Sequence, residues 1–387
     1  MKVECNNVKL DIRTTFEDIE IEDIKESDVN QETPLSFPIS KGAITKSGDI
    51  IRSYMKELDS TSKNTISEEE FRDALFILKR YRENHIPSLK YFSALLEGKL
   101  KRLQVFEQSI VSSRSKRLES IANKLVVRPT MRLAQMDDLV GIRVTLPDME
   151  VLDQFIHDTH NCEIINSDCI FDDFHTTNYI SEPKPDGYRG IHQIFKCKAD
   201  GNSYFKLELQ IRTKIQHEWA TVVEILGSLQ RVSFKAGQGN ESYLRFLELS
   251  SVLFSIEEGS PIVAAYAKHT PSDICIKLDV LDKKLQIIEM LRGFTSIPSP
   301  KQSVEAKYYL IQLNLYTHET KVLPYDDERD ANEDYVRLEQ EYQRSNNFDV
   351  VLVSVDDVNK IEEAYPNYFL DSNDFISRYT KLLVKYS

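Results

Sequence analysis

The sequence predicts an α+β protein, with a main region that mixes strands and helices and a smaller α+β domain behind it. Three observations carry this. Apolar residues recur at helical spacing between Glu68 and about Lys124. The period then drops to two in the segments 139–146, 189–197 and 204–212. A second mixture of strand-like and helix-like segments follows residue 301.

Taken in order, residues 1–40 are acidic, contain Pro34 and Pro38, and read as an N-terminal extension with room for one strand. Phe71, Leu75 and Leu78 fall on one face of a helix over Glu68–Tyr81, which Pro87 punctuates. A longer helix is expected from Ser88 to about Lys124, with Pro129 just beyond it. Leu139–Leu146 reads as a strand and Met149 to about His160 as a short helix. Arg189–Cys197 and Tyr204–Arg212 alternate as a strand pair around the turn Ala199-Asp200-Gly201-Asn202, and Thr213 opens the helix KIQHEWATVVEILG. The stretch 241–300 is helical, broken at Gly259-Ser260-Pro261 and at Pro271. The last section gives strands YYLIQLNLY, KVLPY and FDVVLVSV, a helix over Asp330–Gln343, and helices at the end.

Composition narrows the function classes. The 387-residue chain is 41% hydrophobic, enough for a sizeable core and for two or three domains, and its net charge of −13 argues against general nucleic-acid binding, DNA included. The charge is uneven: Lys79–Arg143 holds 14 Lys/Arg against 6 Asp/Glu, either a solvated helix face or a seat for phosphates. The five scattered cysteines contain no CxxC pair, which fits a reducing cytoplasm and neither a disulfide framework nor a structural zinc site. The N-terminus lacks the apolar stretch of a secretory signal, and no apolar run approaches the roughly 20 residues of a membrane span.

Four clusters carry candidate chemistry. In Arg114-x-Lys116-x-x-x-Ser120-x-x-x-Lys124, residues four apart on a helix would align two ammonium groups and a hydroxyl, suited to polyphosphate. In Asp137-Asp138-Leu139-Val140-Gly141-Ile142-Arg143, a carboxylate opens a buried strand, where it could ligate Mg²⁺, and an arginine follows whose plane could stack on a base. The segment Tyr179–His192, YISEPKPDGYRGIH, sets Tyr188 on a Pro/Gly-stiffened turn, a stacking platform for a purine. In Lys206–Thr213, Leu207, Leu209 and Ile211 point one way and Glu208, Gln210 and Arg212 the other, a polar row that makes sense lining a cleft.

Together, in this order and spacing, RSKRLESIANK, DDLVGIRV, YISEPKPDGYRGIH and ELQIRT followed by QHEWA resemble the synthetase domain of the RelA/SpoT family, most closely the stand-alone small alarmone synthetases, over roughly residues 70–230. The resemblance implies a nucleotidyltransferase-like mixed β-sheet flanked by helices, and a transferase that moves pyrophosphate from ATP to the 3′-hydroxyl of GDP or GTP. It implies that Arg114 and Arg143 sandwich the adenine and that Lys116, Ser120 and Lys124 hold the ATP phosphates. By the same resemblance Asp138 and Glu208 carry Mg²⁺, Glu208 activates the 3′-hydroxyl, and Tyr188 stacks on the acceptor guanine. Lys184, His192, Gln210 and Arg212 would surround the acceptor. Gly190 departs from the pattern, standing where many members have Ser.

Long members of that family carry a metal-dependent HD hydrolase domain ahead of the synthetase. Here His157-Asp158 is the one His-Asp pair and reads as surface, so synthesis without hydrolysis is expected. The domain reading is an extension over 1–40, a synthetase domain over 41–230, a helical segment over 231–300 and a C-terminal α+β domain over 301–387, where a regulator could bind. The alternatives are a toxin-type relative that pyrophosphorylates the tRNA 3′ end, or a catalytically dead nucleotide-binding regulator. A cytoplasmic location, no membrane partner and a possible homo-oligomer complete the expectations.

Overall fold

The structure is a computed structural model that describes residues 39–58, 65–116, 118–161, 169–171, 175–198, 204–230, 232–296, 306–314, 319–342, 348–354 and 368–387. Its elements are α1 Lys41–Leu58, α2 Glu68–Glu83, α3 Ile86–Arg102, β1 Ile110–Ser115, α4 Leu118–Val127, β2 Val140–Leu146, α5 Met149–Asn161, β3 Cys169–Phe171 and β4 Thr177–Asn178. There follow β5 Ile191–Lys198, β6 Tyr204–Thr213, α6 Lys214–Leu229, α7 Glu241–Glu258, α8 Pro271–Leu285 and α9 Ile287–Thr295. The C-terminal section holds β7 Tyr308–Asn314, β8 Glu319–Tyr325, α10 Glu328–Tyr342, β9 Phe348–Ser354 and α11 Tyr368–Tyr386. A mixed α+β architecture is present, with one sheet in the order β1-β2-β6-β5-β3, β4 pairing with β5, and a second sheet in the order β8-β7-β9.

The chain divides into two compact units, one of Met1–Val144, Gln154–Thr177 and His192–Ile211, the other of Thr145–Asp153, Asn178–Ile191 and Arg212–Ser387. In the first, α1, α2 and α4 bury Ile51, Phe71, Leu75, Leu78, Ile121 and Leu125 in a common core. Helix α2 starts at Ser67, whose hydroxyl accepts from the Glu70 amide while the Glu70 side chain accepts from the Ser67 amide, so two otherwise orphaned donors are satisfied. Arg52 of α1 donates to the Leu125 carbonyl at 2.9 Å and ties α1 to α4.

The single helix expected over Ser88–Lys124 is instead four pieces: α3, a 3₁₀ turn at Phe106–Gln108, β1 and α4. Gln104 takes a left-handed φ of 59° just past α3, which ends the helix. The run Ile110-Val111-Ser112-Ser113 then favours strand, where β-branched side chains pack well, and β1 pairs with β2. Helix α1 went unread in the sequence because its buried positions, Ile44, Ile51 and Tyr54, are separated by polar stretches. The strand pair is present as β5 and β6; the turn over 199–202, like residues 1–38, lies outside the described residues.

In the second unit, α6, α7, α8, α9, α11 and β7 share an apolar core that includes Trp219, Phe246, Phe254, Tyr266, Phe294 and Phe375. Gly259 closes α7 at φ 65°, and Pro271 opens α8 at its first turn, so both expected breaks fall at helix ends. Strand β7 pairs antiparallel with β8 and with β9, setting Ile311 opposite Val322 on one side and Val351 on the other. Helix α11 meets α6 through a polar seam: Lys214 with Asp374 at 2.8 Å, His217 with Asp371 at 3.2 Å, and Glu218 with Arg378 at 3.0 Å. Among the described residues, no helix is long and apolar enough to cross a membrane.

Candidate functional site

The first unit gathers a carboxylate between two lysines. The Lys116 amide donates to the Leu139 carbonyl at 2.8 Å, and Arg82 donates to the Lys116 carbonyl at 3.1 Å, so the end of β1 is fastened beside the residues that lead into β2. Lys116 therefore sits between β1 and α4, ahead of the helix, and the expected stripe of Lys116, Ser120 and Lys124 along one helix face is not the arrangement. The two lysines still converge: both ammonium groups donate to Asp138 Oδ2 at 2.7 Å. Ser120 is exposed on α4. Arg114 lies on β1 and Arg143 is buried on β2.

Asp138 lies two residues ahead of β2 instead of opening it. Burial raises its carboxyl, but the charges and hydrogen bonds of Lys116 and Lys124 prevail and hold it below the usual carboxylate range. Its other oxygen, Oδ1, is buried with no hydrogen-bond partner among the described residues. A buried anionic oxygen left this way is costly, and a bound cation is the partner its chemistry suits. The neighbouring Asp137 is taken up by Lys206.

Glu208 is the second carboxylate. Strands β2 and β6 are neighbours, and at Gly141 they approach so closely that an added Cβ would lie 3.2 Å from the Glu208 carbonyl and 3.9 Å from its Oε2. His192 Nδ1 lies 2.9 Å from Glu208 Oε1, and Gln210 Nε2 donates to Oε2 at 2.8 Å. Burial pushes Glu208 up; His192 and Gln210 outweigh it and leave the carboxyl below its ordinary value, while the charge of Asp138 acts against them. The alternation read from the sequence is present up to Ile211: Leu207, Leu209 and Ile211 are buried at 1%, 0% and 0% and Glu208 and Gln210 are half-buried, whereas Arg212, expected on the same face as Glu208, is itself buried at 3%.

The second unit builds a turn around an aromatic ring. Asp186 accepts from the Tyr188 amide at 2.9 Å, and Lys184 accepts from the Gly187 amide at 2.9 Å. Gly187 has φ 89°, and an added Cβ would meet Ser251 Cβ at 2.8 Å and Trp219 at 3.2 Å, so both conformation and space require glycine. Gly190 has φ 153°, a backbone conformation that also favours glycine. The Tyr188 ring has Tyr179 edge-on at 5.7 Å, the Lys184 ammonium 5.0 Å from its centroid and the Arg212 guanidinium at 5.1 Å. Arg212 also donates to the Tyr188 hydroxyl at 2.9 Å. Sequence reasoning missed the fastening of this turn: Arg189, buried behind Tyr188, pairs with Glu258 at the end of α7.

These clusters fall within one stretch of chain, and a sequence profile described as a region found in RelA / SpoT proteins matches residues 113–226. The chain carries a RelA/SpoT region. Two curated relatives match part of it. GTP pyrophosphokinase YwaC of Bacillus subtilis (strain 168) is 31% identical over 121 residues, covering 28% of this chain and 53% of that protein. The chloroplastic GTP diphosphokinase CRSH1 of Oryza sativa subsp. japonica is 30% identical over 134 residues, covering 33% of this chain and 22% of that protein. The chain thus spans about half the length of the first relative and about a fifth of the second. Among solved structures, a GTP pyrophosphokinase family protein from Streptococcus pneumoniae is 21% identical with a TM-score of 0.40, covering 47% of this chain and 89% of that one. Small alarmone synthetase 1 from Bacillus subtilis, bound to its product pppGpp, is 21% identical with a TM-score of 0.39, covering 47% and 92%. Every site residue read from the sequence, Arg114 to Arg212, lies inside the RelA/SpoT region. His157 is exposed on α5. Among the described residues no three His, Cys, Asp or Glu side chains gather as a metal cluster.

Proposed function

We propose that this chain is an ATP-dependent pyrophosphokinase that transfers the β,γ-pyrophosphoryl group of ATP to the 3′-hydroxyl of GDP or GTP. The observation that carries the reading is the Asp138 carboxylate, held through one oxygen by Lys116 and Lys124, with its other oxygen unpartnered among the described residues and its charge near enough to act on Glu208. The names of the curated relatives support the reaction class.

In this reading Arg114 and Arg143 hold the adenine, and Lys116, Ser120 and Lys124 hold the ATP phosphates. Lysine suits that work because its ammonium is a mobile point charge on a flexible stem, able to pass from Asp138 to an incoming phosphate. Asp138 and Glu208 would hold Mg²⁺, which supplies charge neutralisation at the polyphosphate. Glu208 accepts the proton of the attacking 3′-hydroxyl; the oxygen bonds the β-phosphorus, the bond from that phosphorus to the α,β-bridging oxygen breaks, and AMP leaves with that oxygen. His192 and Gln210 keep the Glu208 oxygens oriented and the carboxylate ionised near neutral pH. Tyr188 stacks on the acceptor guanine, with Lys184 and Arg212 about its ring.

The test is incubation with ATP labelled in its terminal phosphates together with GDP, GTP or bulk tRNA. Label on a guanosine nucleotide is the expected result. Label on tRNA alone would keep the chemistry and replace the acceptor; label on none would refute the reading.

A further inference from the structure

Glu258 is the last residue of α7 and lies outside the RelA/SpoT region of residues 113–226. A carboxylate in the last turn of a helix faces the negative end of the helix dipole, an unfavourable place unless something else holds it. Here the side chain is 3% exposed and is fully engaged. Its Oε2 accepts from Arg189, whose own side chain is 2% exposed, and from Gln216 at 3.4 Å. Its Oε1 accepts from the Thr213 hydroxyl. Arg189 follows Tyr188 in the chain and Thr213 follows Arg212, so one carboxylate grips the residues next to both members of the Tyr188–Arg212 pair.

A second fastening lies two turns back on the same helix face. Ser251 donates to the Gly187 carbonyl and accepts from Arg189 Nε at 3.3 Å, so the turn is tied to α7 on both sides of Tyr188. Ser260, just beyond the helix, accepts from Arg189 at 3.1 Å. The approach is close enough that Gly187 has no room for a Cβ against Ser251.

A buried ion pair is not an economical way to stabilise a fold, since an apolar pair of similar size often does as well or better. What it does supply is fixed geometry, because bonds to both carboxylate oxygens set direction as well as distance. We infer that Glu258 is a positioning residue for the acceptor nucleotide: through Arg189 and Thr213 it fixes the Tyr188 ring against Arg212, with Ser251 as its auxiliary, so that helix α7 is part of the acceptor site. This rests on the reading of Tyr188 as the platform for the acceptor base.

The experiment measures KM for GDP and for ATP, with the melting temperature, in the full chain carrying Glu258→Gln, the double change Arg189→Met with Glu258→Met, Ser251→Ala, and Tyr188→Ala. Glu258→Gln should lower the melting temperature and raise the GDP KM about tenfold, leaving the ATP KM within about twofold. The double variant should recover the melting temperature, because no buried charge is left unpaired, yet keep the raised GDP KM. Ser251→Ala, which creates no unpaired charge and keeps the fold, should raise the GDP KM about threefold. A parental GDP KM in Ser251→Ala, or in a double variant that folds, would reduce these residues to a purely structural role and overturn the inference. Tyr188→Ala separates the two levels. If it raises the GDP KM while the Glu258 and Ser251 variants do not, the acceptor reading stands and the positioning role falls. If it leaves the GDP KM at the parental value, the acceptor reading falls and the positioning role with it.

Discussion

The Glu208 carboxylate is held at both oxygens, by His192, whose Nδ1 lies 2.9 Å from Oε1, and by Gln210, whose Nε2 donates to Oε2 at 2.8 Å. A carboxylate has a lone pair and a charge with which to take the proton, and its amide isostere has no such charge. Glu208→Gln should therefore lower kcat by at least about 10²–10³-fold with a melting temperature close to the parent's. His192→Ala should cost less, because Gln210 still holds Oε2. Steady-state transfer assays on both variants check the order; a Glu208→Gln enzyme with near-parental kcat would remove Glu208 from the reaction.

Lys116 and Lys124 meet on one oxygen of Asp138, so the three groups should behave as a set. Either lysine changed to Ala should weaken binding of a non-hydrolysable ATP analogue several-fold with the fold intact, since both are part-exposed. The double change should lose less than the sum of the two single losses, because the partners are shared. Calorimetric titration of the analogue measures each loss; unchanged affinity in both single variants would return the lysines to a role at the surface.

How much of this was legible in the sequence differs residue by residue. The row Glu208-x-Gln210 opposite Leu207, Leu209 and Ile211 was readable because strand geometry alternates faces without reference to anything distant. Lys116 and Lys124 were readable as a pair of neighbouring cations but not in their geometry. Helical spacing four apart was a fair inference until β1 claimed the residues ahead of Lys116 by pairing with β2, a contact that no local pattern announces. Glu258 was invisible: its partner Arg189 is 69 residues away, and a glutamate pair before a glycine looks like an ordinary exposed helix end. Helix α1 was passed over for its weak apolar stripe, which matters because Ile51 and Arg52 help pack α4 beside the lysines.

His85 gives a stability signature in acid. Burial pushes its imidazole down to about 4 from an ordinary value of 6.5, against a hydrogen bond to the Tyr81 carbonyl at 2.8 Å. The folded state holds the ring neutral, so its stabilisation is complete above pH 6.5 and is lost as pH falls from there towards 4, where the unfolded chain binds the proton first. The loss is roughly 3 kcal/mol across that window. A His85→Leu variant should lack this loss: its melting temperature, compared with the parent's at pH 7.5 and pH 5, should gain on the parent at the lower pH. A constant difference would contradict the buried neutral ring.

Asp282 has the opposite sign. Burial, with the charges of Glu289 and Asp279, pushes its carboxyl up to about 6 although it accepts from the Ile288 amide at 3.0 Å. The folded state favours the protonated form, so the contribution of Asp282 to stability is highest below about pH 4 and declines as pH rises to about 6. Asp282→Asn keeps the accepting oxygen and removes the charge. It should raise the melting temperature at pH 8 by about 2–4 °C and by less at pH 4.5. A variant less stable than the parent at pH 8 would show that the carboxylate is held charged at a profit.

Transfer of two phosphates as one group from ATP to a 3′-oxygen leaves its record in the nucleotide balance of the reaction. Phosphorus NMR of a mixture of the full chain, ATP, Mg²⁺ and GDP should show one AMP formed for each guanosine nucleotide consumed, with a new diphosphate on its 3′-oxygen and none of this in a parallel Glu208→Gln sample. Formation of ADP in place of AMP, or of AMP with free pyrophosphate and unaltered GDP, would contradict the account.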